Sequence, residues 1–102
     1  MPDDFKGNCY QVHIDFLREA VEPQERAGWR LCHGTVTNAQ GKAMGHCWLE
    51  HGGYAYDFSN GNYFRMEVDE FRRLTQARDV SVYTSQEVSV NILTHGHLGP
   101  WP

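Results

Sequence analysis

The stretch GHCWLEHGGYAYDFSNG, from Gly45 to Gly61, indicates two β-strands joined by a tight turn. Its Gly52-Gly53 pair is typical of the two-residue loop of a β-hairpin, because glycine adopts the positive φ angles that such a turn requires. A two-residue loop sets the register of the hairpin and pairs His51 with Tyr54. The turn therefore predicts which side chains of the two strands share a face of the sheet.

This register divides the hairpin side chains between two faces, because side chains alternate along a strand and paired residues lie on the same face. The first face, which we expect to be a core face, carries Cys47, Leu49, Tyr56 and Phe58. The second face carries His46, Trp48, Glu50, Asp57 and Ser59. His46 and Asp57 are diagonal neighbours there, within reach of a hydrogen bond. Since the Cys47 side chain points to the opposite face, His46 and Cys47 are not predicted to share a metal ion.

The patterns on either side of the hairpin predict a single α+β domain that spans residues 1–102. Asn8 is a good N-cap for an N-terminal helix, with Gln11 as its capping-box partner, so Cys9 is predicted at the first helical position. We expect this helix to pack on an antiparallel sheet of about four strands, formed by residues 29–36, 43–50, 54–59 and 79–84. Two further helices are expected, one at residues 68–76 and one that runs from a Thr84–Glu87 capping box to near Gly96. Trp101, in the irregular tail, is expected to dock on the core.

Periodic apolar residues predict the buried faces of these helices. In the first helix they are Val12, Phe16, Leu17 and Ala20. In the second they are Val68, Phe71 and Leu74, and in the third Val88, Ile92 and Leu93. Residues 22–28, EPQERAG, are expected to form a loop, because Pro23 marks the end of the first helix.

Composition and charge argue against several classes of function. The chain has 102 residues, of which 40% are hydrophobic, and a formal net charge of −4 with scattered Lys and Arg residues. Without a basic stripe to neutralise phosphates, nucleic-acid binding is not expected. No apolar run approaches the roughly 20 residues of a membrane helix and no secretory signal is visible, so we expect a cytoplasmic protein without a membrane partner. Three cysteines without a C-x-x-C pair argue against a disulfide framework and a zinc ribbon.

Cys9 is a candidate nucleophile because of its predicted place at a helix N-terminus. A cysteine attacks as its thiolate, and the free N–H groups and positive dipole end of a helix favour that form. The Cys9 backbone N–H, or the side chain of Asn8 or Gln11, would face the oxyanion of a tetrahedral intermediate. If the helix starts against the hairpin, His46 would act as the base and Asp57 would orient it. The alternatives are a Cys9 buried as a small apolar residue and a His46 satisfied by a structural carboxylate.

The ordered segments NCYQV, WRLCHGTV, GHCWLE and YAYDFS resemble the papain-like cysteine hydrolases of the transglutaminase-like branch. The resemblance covers roughly the first sixty residues. Its most specific part is GHCWLE with YAYDFS, which is similar to the G-H-x-W and strand-Asp signature of that branch. It implies a papain-like fold in which Cys9 is the nucleophile, His46 the general base and acid, and Asp57 the orienting residue. Cys47 departs from the pattern, because a small residue is typical after the histidine.

The function that follows is thiol-dependent hydrolysis of an amide, peptide or isopeptide bond, or transfer of the acyl group to an amine, through a Cys9 thioester. A peptide or protein substrate is expected, no cofactor is implied, and Trp48 is a candidate for lining the substrate groove. The alternative is a binding or accessory protein that keeps this scaffold without turnover. His95 and His97 leave a surface metal ion open as a minor part of that alternative. His33 is predicted to line the core or the cleft.

Overall fold

The computed structural model describes residues 8–59 and 63–101, with Asn8 described by its backbone alone. The helices are α1 (Asn8–Glu19), α2 (Val68–Thr75) and α3 (Ser85–His95), and Pro23–Gly28 forms a 3-10 helix. The strands are β1 (Trp29–Thr37), β2 (Ala43–His51), β3 (Tyr54–Asp57), β4 (Phe64–Glu67) and β5 (Arg78–Thr84). They form one antiparallel sheet in the order β4-β3-β2-β1-β5. The predicted α+β class is confirmed.

The β2–β3 hairpin has the register that its two-residue turn predicts. Gly52 and Gly53 both have positive φ angles, of 60° and 85°. His51 pairs with Tyr54, as expected for a loop of this length. The turn therefore sets the parity of the side chains along both strands.

The ladder between β2 and β3 is short. It ends at the pair of Leu49 with Tyr56, and β3 itself ends one residue later, at Asp57. The predicted pairs of residues 46–48 with residues 57–59 lie beyond this ladder. β2 thus continues past the end of β3, and α1 packs beside that extension.

Both faces of the sheet are covered by helices. Cys47 and Leu49 are fully buried on the first face, in a core cluster that includes residues of α1 and α3. Tyr56 and Phe58 are partly buried against the same cluster, so the predicted core face is confirmed. α2 covers the second face, where a separate cluster forms around Cys32, Val36, Trp48, Ala55 and Phe71.

A partly buried ion pair holds α2 on the second face. The Arg72 guanidinium donates to Glu50 through Nε and Nη2, with an Nε to Oε2 distance of 3.0 Å and an Nη2 to Oε1 distance of 3.0 Å. The Trp48 indole N–H donates to the same carboxylate at 2.9 Å. Because a two-point Arg–carboxylate contact constrains direction as well as distance, this pair fixes how α2 lies over β2.

The first turn of α1 differs from its prediction. Asn8, the first residue that the structure describes, is already helical, so it is not an N-cap, and its side chain lies outside the described residues. The Gln11 amide donates to both carboxylate oxygens of Asp15 at 2.9 Å, and therefore does not form the predicted capping box. The reason is that Gln11 has a carboxylate four residues ahead, on the same side of the helix.

The buried side of α1 also differs from the predicted apolar stripe. Leu17 is buried, but Val12 and Phe16 are only half-buried, and Ala20 is exposed and follows the last helical residue. The buried side chains of this segment are Tyr10, His13, Ile14, Leu17 and Val21. Tyr10, Ile14, Leu17 and Val21 are themselves spaced i, i+4, i+7 and i+11, so the sequence contains two overlapping apolar stripes and the predicted one is the less buried of the two.

In the second half of the chain, the predicted helices and the last strand are confirmed, together with the Thr84–Glu87 capping box. The pattern does not predict β4, a short strand with charged residues. Residues 23–28 form a 3-10 helix where a loop is predicted. Leu74 and Leu93 are 56% and 86% exposed, because the described elements leave that side of each helix uncovered. Of the helices in the described ranges, none is both long and apolar enough to cross a membrane.

The C-terminal segment returns to the core, as predicted for Trp101. This residue is buried, and its indole N–H donates to the His97 carbonyl oxygen at 3.0 Å. Gly99 has a φ of 127°, and a Cβ atom there would lie 2.5 Å from the Tyr10 ring. Only glycine fits at that position, so the segment can lie directly on the first turn of α1.

Leu49→Ala is expected to lower the free energy of unfolding by about 2–5 kcal/mol, because truncation of a fully buried leucine leaves a cavity. Urea unfolding followed by tryptophan fluorescence measures the change. The matched control is Leu93→Ala, which truncates an exposed leucine and is expected to change stability by less than about 0.5 kcal/mol. Equal costs for the two variants would contradict the assigned core face.

Candidate active site

The hairpin brings His46 and Asp57 into direct contact. The distance from His46 Nε2 to Asp57 Oδ2 is 2.6 Å, and the side chains are 16% and 8% exposed. Because a carboxylate only accepts hydrogen bonds, Nε2 carries the proton and donates it. The other ring nitrogen, Nδ1, is thereby left for a second partner. This is the contact that the turn register predicts for diagonal neighbours.

Ser59 holds Asp57 in the ionised form. Its backbone N–H and its hydroxyl donate to Asp57 Oδ1 at 3.0 and 2.6 Å. Burial raises the pKa of Asp57, but the hydrogen bonds and charge of His46, with Ser59, outweigh it and leave that pKa below its ordinary value. Burial lowers the pKa of His46, but the Asp57 carboxylate and the nearby Cys9 sulfur outweigh it and leave that pKa raised. The pair therefore favours an imidazolium beside a carboxylate.

Cys9 is the second described residue of α1, half-buried, beside the extension of β2. The pKa of Cys9 is lowered to about 7, and the largest contribution comes from a hydrogen bond with the Cys47 thiol. Burial acts in the opposite direction, and the charge of His46 and the backbone N–H groups of Cys47 and Tyr10 lower the pKa further. About half of such a thiol is ionised at pH 7, where an ordinary cysteine has only a few per cent of thiolate.

Cys9 and His46 line one surface pocket of about 280 Å³. The other lining residues are Tyr10, His33, Gly45, Leu98, Gly99 and Pro100. His33 therefore lines the cleft, in agreement with its prediction, and its ring packs on that of Tyr10 with centroids 5.5 Å apart. Within the described residues no hydrogen bond joins Cys9 to His46, so these two residues share the pocket without a direct hydrogen bond.

A buried histidine that the sequence pattern does not predict links Cys9 to the segment after β3. His13 Nδ1 lies 2.6 Å from the Cys9 carbonyl oxygen, and the Phe58 backbone N–H donates to His13 Nε2 at 3.0 Å. Since that N–H can only donate, Nε2 accepts, Nδ1 carries the proton, and the ring is neutral. Asp57 Oδ1 lies 3.8 Å from Nε2, but Nε2 carries no proton and the ring is uncharged, so this is not an ion pair. Burial lowers the pKa of His13, in agreement with a neutral ring.

Two residues predicted to lie beside the substrate do not do so. Gln11 is exposed and bonded to Asp15, which turns it away from the pocket. Trp48 has no exposed surface and packs on Phe71, with ring centroids 5.1 Å apart, because α2 closes that face of the sheet. The side chain of Asn8, the third such residue, lies outside the described residues.

Within residues 8–59 and 63–101, no group of three His, Cys, Asp or Glu side chains is arranged to hold a metal ion. The rings of His95 and His97 have centroids 6.1 Å apart, but the described chain brings no third ligand to them. The proposal of a surface metal ion gains no support from these positions.

Comparisons with protein-family models, curated proteins and solved structures find no significant match to this chain. The chemistry of the site therefore has to be inferred from the residues of the site alone. These are a thiol of lowered pKa, an imidazole and a carboxylate, of which the first two line one pocket.

The free energy of unfolding is expected to fall as the pH drops below about 6.5, because the unfolded chain protonates His13 while the folded chain resists that proton. The loss is at most about 1.4 kcal/mol per pH unit for one group. His46 acts in the opposite sense: its raised pKa contributes stability that is present at low pH and lost as the pH rises through the folded value. The low pKa of Asp57 contributes stability that is lost only in stronger acid, below its ordinary value of 3.8.

Urea unfolding at about pH 7.5 and about pH 5 measures this effect. His13→Gln keeps a donor and an acceptor without a titrating ring, so we expect a smaller loss in acid than in the parent. His95→Gln removes an exposed imidazole and is expected to keep the parent's loss. His33, whose pKa burial also lowers, is present in all three proteins and cancels in the comparison. An equal loss in the parent and His13→Gln would contradict the neutral, buried role of His13.

Proposed function

We propose that this protein is a thiol-dependent hydrolase of amide, peptide or isopeptide bonds, or an acyltransferase that moves the same acyl group to an amine. Cys9 is the nucleophile, His46 the general base and acid, and Asp57 the residue that orients His46. The observation that carries the proposal is the 2.6 Å contact of His46 Nε2 with Asp57 Oδ2, at a pocket shared with a cysteine of pKa about 7. Many His–Asp pairs are structural, but few share a cleft with an activated thiol.

Acylation begins with the Cys9 thiolate. Its Sγ attacks the carbonyl carbon of the substrate, and the carbonyl electron pair moves to oxygen. His46, protonated and oriented by Asp57, donates its Nδ1 proton to the leaving nitrogen as the C–N bond breaks. The products are a Cys9 thioester, a free amine and a neutral His46.

Deacylation reverses the roles. Water attacks the thioester carbonyl while His46 Nδ1 takes one of its protons, and the C–S bond then breaks to release the acid and the Cys9 thiolate. An amine in place of water gives acyl transfer along the same path. Asp57 stays ionised throughout, because His46 and Ser59 keep its pKa low.

The backbone N–H of Cys9 is the oxyanion donor that we assign. The sequence expectation of Cys9 in the first turn of its helix gives the reason, because the N–H groups of a first turn have no intrahelical partners. The Tyr10 N–H acts on the sulfur itself, because it lowers the pKa of Cys9. The positive end of the helix dipole acts in the same direction as the Cys9 N–H.

The pocket favours an extended substrate with a partly apolar group. Its volume of about 280 Å³ is at the lower end of the range for small-molecule sites, so it accommodates one side chain or acyl group at a time. Tyr10, Leu98 and Pro100 form an apolar wall, and His33 adds a polar one. A peptide or an exposed protein segment meets these conditions, because only one of its residues has to enter.

We also propose a relation to the papain-like hydrolases of the transglutaminase-like branch. The order of the groups supports it: Cys9 at a helix start, His46 on a strand, and Asp57 at the end of the next strand. The packing of α1 against β2 in an α+β domain supports it as well. Cys47 is the residue at which this chain departs from that branch.

Acylation by p-nitrophenyl acetate tests the proposed chemistry. We expect a burst of about one equivalent of nitrophenolate per chain and an acetyl group on the tryptic peptide of residues 7–18, which contains Cys9. His46→Ala is expected to slow the burst by about 10²- to 10⁴-fold, because the proton transfers lose their carrier. Asp57→Asn is expected to keep the thiol but impair turnover, because His46 loses its orienting acceptor.

Two cysteine variants serve as controls for this experiment. Cys9→Ala is expected to abolish the burst, and Cys32→Ala to preserve it. An added primary amine separates the two reactions, since an acyltransferase forms the amide while a hydrolase forms acetate. Acetylation at other residues, unaffected by His46→Ala, would reject the catalytic proposal in favour of a binding scaffold.

A further inference from the structure

Two cysteines meet at the site, although the proposed amide chemistry uses only one as a nucleophile. Cys47 is fully buried, and its Sγ lies 3.5 Å from the Cys9 carbonyl oxygen. Each of the two thiols shifts the pKa of the other: the Cys47 thiol lowers that of Cys9, and Cys9 raises that of Cys47. Cys9 packs against the core cluster that contains Cys47. Both are free thiols, so a half-buried sulfur that lines the pocket has a fully buried one as its neighbour.

We propose that Cys9 and Cys47 form a peroxide-reactive dithiol, in which a hydroperoxide oxidises Cys9 and Cys47 then closes a reversible disulfide with it. This assigns a modification site that amide chemistry does not require. Loss of the nucleophile through this disulfide rests on the proposed function, whereas the disulfide itself does not.

The first step converts Cys9 to a sulfenic acid. The Cys9 thiolate attacks one peroxide oxygen, the O–O bond breaks, and the other oxygen leaves with a proton as an alcohol, or as water when the oxidant is hydrogen peroxide. The sulfur is oxidised by two electrons and the peroxide is reduced by two. The thiolate is the reactive form, and Cys9 is reached through the pocket that it lines.

The second step closes the disulfide. The Cys47 sulfur attacks the Cys9 sulfur, the S–O bond breaks, and the Cys47 proton leaves with the hydroxyl group as water. In total, two thiols and one hydroperoxide give a disulfide, an alcohol and water. A dithiol reductant restores both thiols by exchange.

Oxidation of Cys9 also removes an obstacle to the second step. In the reduced protein, burial raises the pKa of Cys47, and the Cys9 sulfur raises it further through its hydrogen bond and its charge. A sulfenic acid no longer carries the thiolate charge, so the charge contribution of Cys9 is removed. His13 Nδ1, whose proton is donated to the Cys9 carbonyl oxygen, lies 3.8 Å from Cys47 Sγ. The first reaction thus prepares the buried thiol for the second.

Cys32 is an internal control for this chemistry. It is paired with Trp48 across β1 and β2 and belongs to the core cluster on the other face of the sheet. Burial raises its pKa to about 12, and it has no exposed surface. We expect Cys32 neither to react with peroxide nor to pair with Cys9.

Trypsin places the three cysteines in three peptides, residues 7–18 with Cys9, 31–42 with Cys32 and 43–65 with Cys47. The full chain is treated with hydrogen peroxide, blocked with iodoacetamide and mapped without reduction. We expect peptide 7–18 to be joined to peptide 43–65 and to be released by dithiothreitol. Cys9 is expected to oxidise at least roughly tenfold faster than Cys32, because only Cys9 has an accessible thiolate.

Cys47→Ser removes the second sulfur but keeps a hydrogen-bond donor beside Cys9. In this variant we expect a Cys9 sulfenic acid that dimedone traps, followed at higher peroxide by a sulfinic acid that dithiothreitol does not reverse. Cys32→Ala is expected to form the disulfide as the parent does.

Three results would overturn the proposal: an unreacted Cys9, a parent that accumulates sulfenic or sulfinic acid without the linked peptides, or a link between the Cys9 residues of two chains. A linked pair of peptides in a protein that p-nitrophenyl acetate fails to acylate would support the dithiol while rejecting the amide chemistry. The two proposals can therefore fail separately.

Discussion

The two-residue turn at Gly52 and Gly53 is the constraint on which the site depends. Both glycines have the positive φ angles that a tight hairpin requires, and the length of the loop sets the parity of β3 relative to β2. That parity puts Asp57 on the side of His46 and leaves Cys47 on the other side of the sheet. One residue more in the turn would rotate Asp57 away from His46 and break the 2.6 Å contact.

The site also depends on the early end of β3, which lets α1 lie beside β2. Because β3 stops at Asp57, α1 occupies the space beside the extension of β2. There the thiol and the backbone N–H of Cys47 lower the pKa of Cys9. His13 then joins the Cys9 carbonyl oxygen to the Phe58 backbone N–H. Cys9 is thus connected to both strands of the hairpin. Each buried polar group in this link has a partner, which offsets the free energy cost of removing it from water.

Spacing along the chain is sufficient to predict the parts of the site that depend on local rules. Turn length and strand alternation predict the contact of His46 with Asp57, and the residue pattern predicts that Cys9 is helical, although the predicted capping by Asn8 and Gln11 is wrong. Parts that depend on distant packing could not be predicted in this way. Trp48 is buried because α2 folds over it, and His13 is a structural residue because of a backbone N–H 45 residues away. The four-residue spacing of His13 from Cys9, one helical turn, was a usable signal.

The most direct test of the site is the pH dependence of Cys9 alkylation by iodoacetamide in the folded protein, read from peptide 7–18 with Cys32 in the same digest as a reference. We predict a half-maximal rate near pH 7 in the parent, so that Cys9 reacts in mild acid while Cys32 does not. In His46→Ala the midpoint should move to higher pH, because the thiolate loses its imidazolium neighbour. A Cys9 midpoint near 9, the ordinary value for a thiol, in both the parent and His46→Ala would contradict an activated Cys9 beside His46.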